Sequence, residues 1–166
     1  MGGIQRPQKL KTILFASASR TATFAETLVD LQLGGYRELI LTFDVTAAER
    51  DSSDETYDIW VVGSDGVSTW DIAHFPQVAT TGAKRFTARV LAERLATVTT
   101  ASPGVASEPS ATMRTDTAGS NEGTKTLAAG TVRHGPFGDL IGVMGTVAGT
   151  IGGTGITFSI QLQAAA

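Results

Sequence analysis

The sequence predicts an all-β fold: a single β-sandwich, of jelly-roll or immunoglobulin-like type, or a small barrel, carrying a long Thr/Ser/Gly-rich insertion. Three observations point there. Apolar and polar residues alternate over several short runs, the period-two mark of half-buried strands. Gly, Asp and Pro separate those runs. No stretch sustains the roughly ten or more residues of helical periodicity that a helix requires.

Composition narrows the class. The chain has 166 residues, of which 42% are hydrophobic, enough for one core. Only 17% are charged, below the roughly 25% usual for soluble domains. Thr, Ser and Gly must therefore cover much of the surface. The net charge is −3 and the basic residues are scattered. Phosphate neutralisation has no stripe to work from, so no nucleic-acid partner is expected. There is no cysteine, which removes disulfides and thiolate metal sites. No run approaches the roughly 20 apolar residues of a membrane-spanning helix, so no membrane partner is expected.

The elements follow in order. Residues 1–9 hold two Gly, one Pro and little apolar content; they are expected to form a flexible arm ahead of a β domain spanning 10–166. Lys9 and Lys11 precede Ile13-Leu14-Phe15-Ala16, but this apolar run is too short for the roughly 7–15 residues of a signal-peptide core. A first strand from Thr12 to Ser17 is expected instead. Thr27 to Leu33 alternates, placing Val29, Leu31 and Leu33 on one face, and Gly34-Gly35 ends it. Leu39 to Val45 alternates again, with Leu39, Leu41, Phe43 and Val45 together.

Residues 49–55 read as a charged loop. Tyr57 to Val62 and Val67 to Ile72 flank Asp65-Gly66, a pair suited to a type I′ hairpin turn with positive φ at both positions. In Lys84 to Leu91, Phe86, Ala88 and Val90 face inward and Arg85, Thr87 and Arg89 outward. Residues 92–138 are rich in Thr, Ser, Ala and Gly and contain Pro103, Pro109 and Pro136. An unstructured loop of that length is unusual in a compact domain, so an elaborated insertion at about 93–138 is expected, with β-like pieces at Thr97-Val98-Thr99 and Thr112-Met113-Arg114. Leu140 to Val147 and Ile156 to Leu162 are the last strands, joined by a mobile Gly-rich tip at 149–155. Helical turns at Phe24-Ala25-Glu26 and Glu93-Arg94-Leu95 are too short to extend.

No constellation singles out chemistry. His74 and His134 are the only histidines, with no metal-ligand spacing between them; His74 reads as a strand-end side chain and His134 as an exposed loop residue. Asp51, Asp54 and Glu55 lack the calcium-loop spacing and read as a solvated turn. No serine stands in a Gly-x-Ser-x-Gly elbow, and the tip at 149–155 has no phosphate-loop ending. No catalytic residue, cofactor or metal site is assigned, and the chain is not expected to be an enzyme. Trp60, Trp70, Tyr36, Tyr57 and Phe75 could form a sugar-binding platform only if exposed; aromatics at strand spacing are more often core.

The order of segments carries a resemblance. Ala16-Ser17-Ala18-Ser19-Arg20-Thr21-Ala22-Thr23 leads to Gly35-Tyr36-Arg37, then to the strand Leu39–Ala47 with its Phe43-Asp44-Val45-Thr46-Ala47 ending. Ile59 to Gly63 follows, and a C-terminal hairpin is centred on Thr157-Phe158-Ser159. This layout resembles that of small tailed-phage virion proteins encoded among head and tail genes. It spans roughly 12–92 and 139–162, and departs from that group in a longer 93–138 segment. The resemblance implies a capsid decoration or cement protein, made in the host cytoplasm and carried on the phage head. Its partners would be the major capsid protein and copies of itself, often as trimers. A tail or head–tail joining component is the first alternative, and a carbohydrate-binding attachment module the second. The pattern is structural, so it transfers no functional residue. On the decoration reading, contacts to neighbours are expected from the arm (Ile4, Arg6, Pro7, Lys9) and the insertion (Met113, Arg114).

Overall fold

A computed structural model describes residues 9–50, 52–92, 117–118 and 127–166. Among them are β1 (Lys9–Arg20), β2 (Phe24–Ala25), β3 (Val29–Asp30), a 3-10 turn (Leu33–Gly35), β4 (Glu38–Ala48), β5 (Thr56–Ser64), β6 (Ser68–His74), β7 (Lys84–Leu91), β8 (Thr117–Ala118), β9 (Thr131–Val132), β10 (Leu140–Ala148) and β11 (Ile156–Ala165). They form two antiparallel sheets. One has the order β1-β11-β4-β7; the other runs β2-β10-β5-β6-β8, with β3 beside β10 and β9 beside β6. No ladder among the described residues joins the sheets, so the fold is a sandwich and not a barrel. No helix of the described residues is long and apolar enough to cross a membrane.

Alternation builds the four-stranded sheet. In β4, Leu39, Leu41, Phe43 and Val45 are buried, and in β11 so are Ile156, Phe158, Ile160, Leu162 and Ala164. The register sets Phe158 beside Val45 and Ile160 beside Phe43, so both rows enter one interior. Phe43 and Phe158 meet edge to face at 5.3 Å, Phe15 stacks on Phe158 at 4.5 Å, and Phe75, just after β6, lies 4.9 Å from Phe43. Each such ring buries a large apolar area and contributes about 1.5–3 kcal/mol relative to exposure.

The seven-stranded sheet is buried on both faces. Tyr57, Ile59 and Val61 of β5 join the main core. Trp60 and Val62 point the other way and pack with Met144, with Leu28 over them. The chain itself therefore covers Trp60.

Several local expectations change. Thr27 to Leu33 is not one strand. Only Val29 and Asp30 pair with β10, Val29 is 46% exposed, and Gln32 takes φ 50°. That left-handed step breaks the alternation and turns Leu33 into the core. Phe24-Ala25 is extended and pairs with β10 instead of making a helical turn. At the β5–β6 turn only Gly66 has positive φ; Asp65 Oδ1 instead accepts the amides of Val67 and Ser68. Lys9, placed in the arm from sequence, already pairs in β1 with Ala165. Residues 127–138, placed at the end of the insertion, belong to the sandwich: Leu127, Val132 and Phe137 are buried. The rest of the expected arm and insertion, and the pieces at 97–99 and 112–114, lie outside the described residues.

Candidate functional site

Two surfaces bring chemistry-bearing side chains together. The first is the outer face of the four-stranded sheet. Period two sends Lys9, Lys11 and Ile13 of β1 outward with Gln161 and Gln163 of β11, Ile40, Thr42 and Asp44 of β4, and Arg85, Thr87 and Arg89 of β7. Register aligns them in cross-strand rows: Lys11–Gln163–Ile40–Arg89, then Ile13–Gln161–Thr42–Thr87, then Ser159–Asp44–Arg85. Arg85 pairs with Asp44 at 2.6 Å, and Arg89 pairs with Glu38. The hydrogen bond each guanidinium donates to its carboxylate, then the carboxylate's charge, holds each guanidinium above its ordinary pKa.

Both carboxylates of this face are thus engaged. Lys9 and Lys11 remain, beside a shallow groove of about 270 Å³ lined also by Ile40, Gln163 and Ala165. Ile13 continues their row at 64% exposure. The face carries more cation than anion on a chain of net charge −3. It is broad, polar and cationic at one edge, and suits contact with another surface better than enclosure of a small molecule.

The second is a polar cluster where residues 127–134 return across β6. Asp71, 1% exposed, accepts from Arg133 Nη2 at 2.7 Å and from the Leu127 amide at 2.7 Å. His74 stacks on Trp60 with ring centroids 4.0 Å apart. Its Nδ1 lies 2.8 Å from the Leu127 carbonyl oxygen and its Nε2 lies 3.1 Å from Asp58 Oδ1. Gln77 Nε2 donates to the other oxygen of Asp58 at 2.7 Å. An Asp–His pair resembles half of a hydrolytic triad, but here both ring nitrogens are occupied. Neither ring nitrogen is left to face a hydroxyl, so the geometry is that of an anchor.

Of the expected partner-contact residues, Lys9 lies on the outer face; Ile4, Arg6, Pro7, Met113 and Arg114 lie outside the described residues. Trp60, Trp70, Tyr36, Tyr57 and Phe75 are all buried, which removes the exposed platform that sugar binding requires. His134 is buried, not exposed: it is 8% accessible and its Nδ1 accepts the Leu91 amide at 3.1 Å. The acidic loop does not converge. Asp54 bonds Ser52, Glu55 is buried, and Glu49 turns to Thr154; Asp51 lies outside the described residues. Among the described residues no group of three His, Cys, Asp or Glu side chains could hold a metal.

Reading the sequence missed the Asp71–Arg133 pair. Its one trace was polar residues at Asp71 and His74 within an apolar strand, answered by Arg133-His134 between Val132 and Phe137. No protein-family model, curated protein or solved structure matches this chain.

Proposed function

We propose that the chain is a structural module of a tailed-phage virion that decorates or cements the head by docking on the major capsid protein lattice. The observation that carries this reading is the solvent-facing outer face of the four-stranded sheet. It is a row-ordered Thr/Gln/Ser surface whose carboxylates are already paired and whose edge keeps Lys9, Lys11 and Ile13 for a partner. Ion pairing already neutralises the carboxylates of this face, so covering it leaves no unpaired carboxylate to desolvate, and an apolar side chain ringed by polar groups is the usual anatomy of a protein contact. The order of segments along the chain, which resembles small virion proteins, supports the same reading.

The test compares purified particles with and without this protein. Particles that carry it should resist heat and low ionic strength better, and adding the purified chain to bare particles should restore that resistance. Equal resistance of the two preparations would overturn cementing. A copy number fixed by a tail ring, not by the capsid lattice, would move the protein to the head–tail joint.

A further inference from the structure

The Asp65-Gly66 pair at the β5–β6 turn carries a chemistry of its own. The nitrogen that follows an aspartate can close a five-membered ring on the side-chain carboxyl carbon, and a following glycine hinders that closure least, having no Cβ. Asp65 and Gly66 are both exposed, and Gly66 takes φ 88°. Exposed as they are, both reacting groups are bonded. The Gly66 amide donates to Ser64 Oγ at 3.0 Å, and the same hydroxyl donates to the Ser68 carbonyl oxygen at 2.7 Å. Asp65 Oδ1 accepts the Val67 amide at 2.9 Å and the Ser68 amide at 2.7 Å. Ser64 itself is 3% exposed. Gly138 lies against its backbone, where a Cβ would stand 2.2 Å from the Ser64 carbonyl oxygen.

We propose that Asp65-Gly66 is a latent site of aspartate isomerisation, which the native turn keeps shut through the Ser64 hydroxyl, so that time spent unfolded becomes irreversible. The reaction needs only water. The Gly66 nitrogen bonds to Asp65 Cγ, and the carboxyl hydroxyl leaves with the amide proton as water. The cyclic imide then takes one water back at either of its carbonyls. Opening at Cγ restores the aspartate. Opening at the main-chain carbonyl routes the chain through Cβ and Cγ and turns that carbonyl into a free carboxylate.

Two native contacts oppose the first step. The attacking nitrogen must give up a proton that it shares with Ser64 Oγ. Cγ must swing onto that nitrogen, and Oδ1 must leave the Val67 and Ser68 amides to do so. Ring closure therefore proceeds from molecules in which the turn has opened. The product has one more main-chain carbon between Ser64 and Val67. That extra atom displaces the pairing of Ser64 with Thr69 and of Gly63 with Trp70, so the hairpin cannot close again in its native register.

The experiment ages three samples of the full chain in warm neutral buffer: the natural chain folded, the natural chain in guanidinium, and folded Ser64→Ala. Peptide mapping with electron-transfer fragmentation reads isoaspartate at position 65. The folded natural chain should isomerise at least about tenfold more slowly than the unfolded one, and Ser64→Ala should recover most of that factor. Equal rates in the folded and unfolded natural chain would overturn the proposal, as would equal rates in the two folded chains. Molecules isomerised in guanidinium should fail to regain the native circular dichroism on dilution; their full recovery would equally count against it. Should Ser64→Ala fail to fold, hydrogen exchange in the natural chain decides: the Gly66 amide should be protected, and free exchange there would remove the lock.

Discussion

Glu49 holds the turn between β10 and β11 through a single carboxylate oxygen, which accepts the Thr154 amide at 2.6 Å and the Thr154 hydroxyl at 2.8 Å. Gly153 makes room for it: a Cβ there would lie 2.2 Å from the carboxylate. The Gly-rich tip, read from sequence as mobile, is therefore tethered. The amide bond, then the hydroxyl bond, holds the Glu49 carboxyl below its ordinary value of 4.5. A lowered folded pKa means that the tether contributes above the unfolded value and is lost as pH falls through the folded one. Protection of the Thr154 amide should be flat from neutral pH down to about 4.5 and drop below it, and Glu49→Gln should abolish that step. The buried carboxylate of Asp71 behaves differently. Removing its charge breaks the ion pair with Arg133, whose side chain is only 10% exposed. Asp71→Asn should destabilise the fold by about 3–5 kcal/mol in a denaturant titration, whereas an apolar replacement of both partners should cost less. Equal losses from the single and double variants would mean that packing, not charge pairing, sets the cost.

Whether an element was legible depended on how many of its faces are buried. β4 and β11 have one face in the core and one in solvent, so their alternation was plain; β7 was legible for the same reason. β5 and β10 are buried on both faces along much of their length, and there alternation fades into apolar runs whose facing only tertiary packing decides. β2, β3 and β9 are two residues long, too short for any period, and they exist because a neighbouring strand offers an edge. The returning segment at 127–134 was hidden for a like reason: its bonds to the sheets reach residues more than forty positions away, such as Leu127 to Asp71 and His134 to Leu91. The misread stretch from Thr27 to Leu33 turns on one residue. Gln32 is exposed and sits at φ 50°, a conformation that costs a residue bearing a Cβ about 1–2 kcal/mol. Gln32→Gly should therefore stabilise the protein by about 0.5–1 kcal/mol, after the loss of chain entropy is deducted. A loss of stability on denaturant unfolding would mean that its side chain, not its backbone, matters there.

At the scale of the molecule, the last strand lies between the first and the fourth. β11 pairs with β1 from Ala165 opposite Lys9 to Ile156 opposite Arg20, and with β4 from Ala165 opposite Glu38 to Ile156 opposite Ala48. It supplies Phe158, the ring shared by Phe15 and Phe43. Until β11 is in place, β1 has no ladder partner among the described residues, and β4 has only β7. The four-stranded sheet therefore closes only when the two ends of the chain meet, which requires the entropy of a very long loop to be overcome first. Refolding of the natural chain should accordingly be slow for its size, on the order of milliseconds to seconds, as followed by fluorescence of the buried Trp60 and Trp70. A chain ending at Ala148 would keep most of the seven-stranded sheet but leave Leu41, Phe43 and Phe15 facing water. It should show no cooperative unfolding transition and should aggregate through the bare edges of β1 and β4. A separate peptide spanning β11, added during refolding, should restore the transition by taking the vacant place between them. A truncated chain that unfolds cooperatively without the peptide would show that the seven-stranded sheet is stable alone, and that β11 is an addition to the fold and not its keystone.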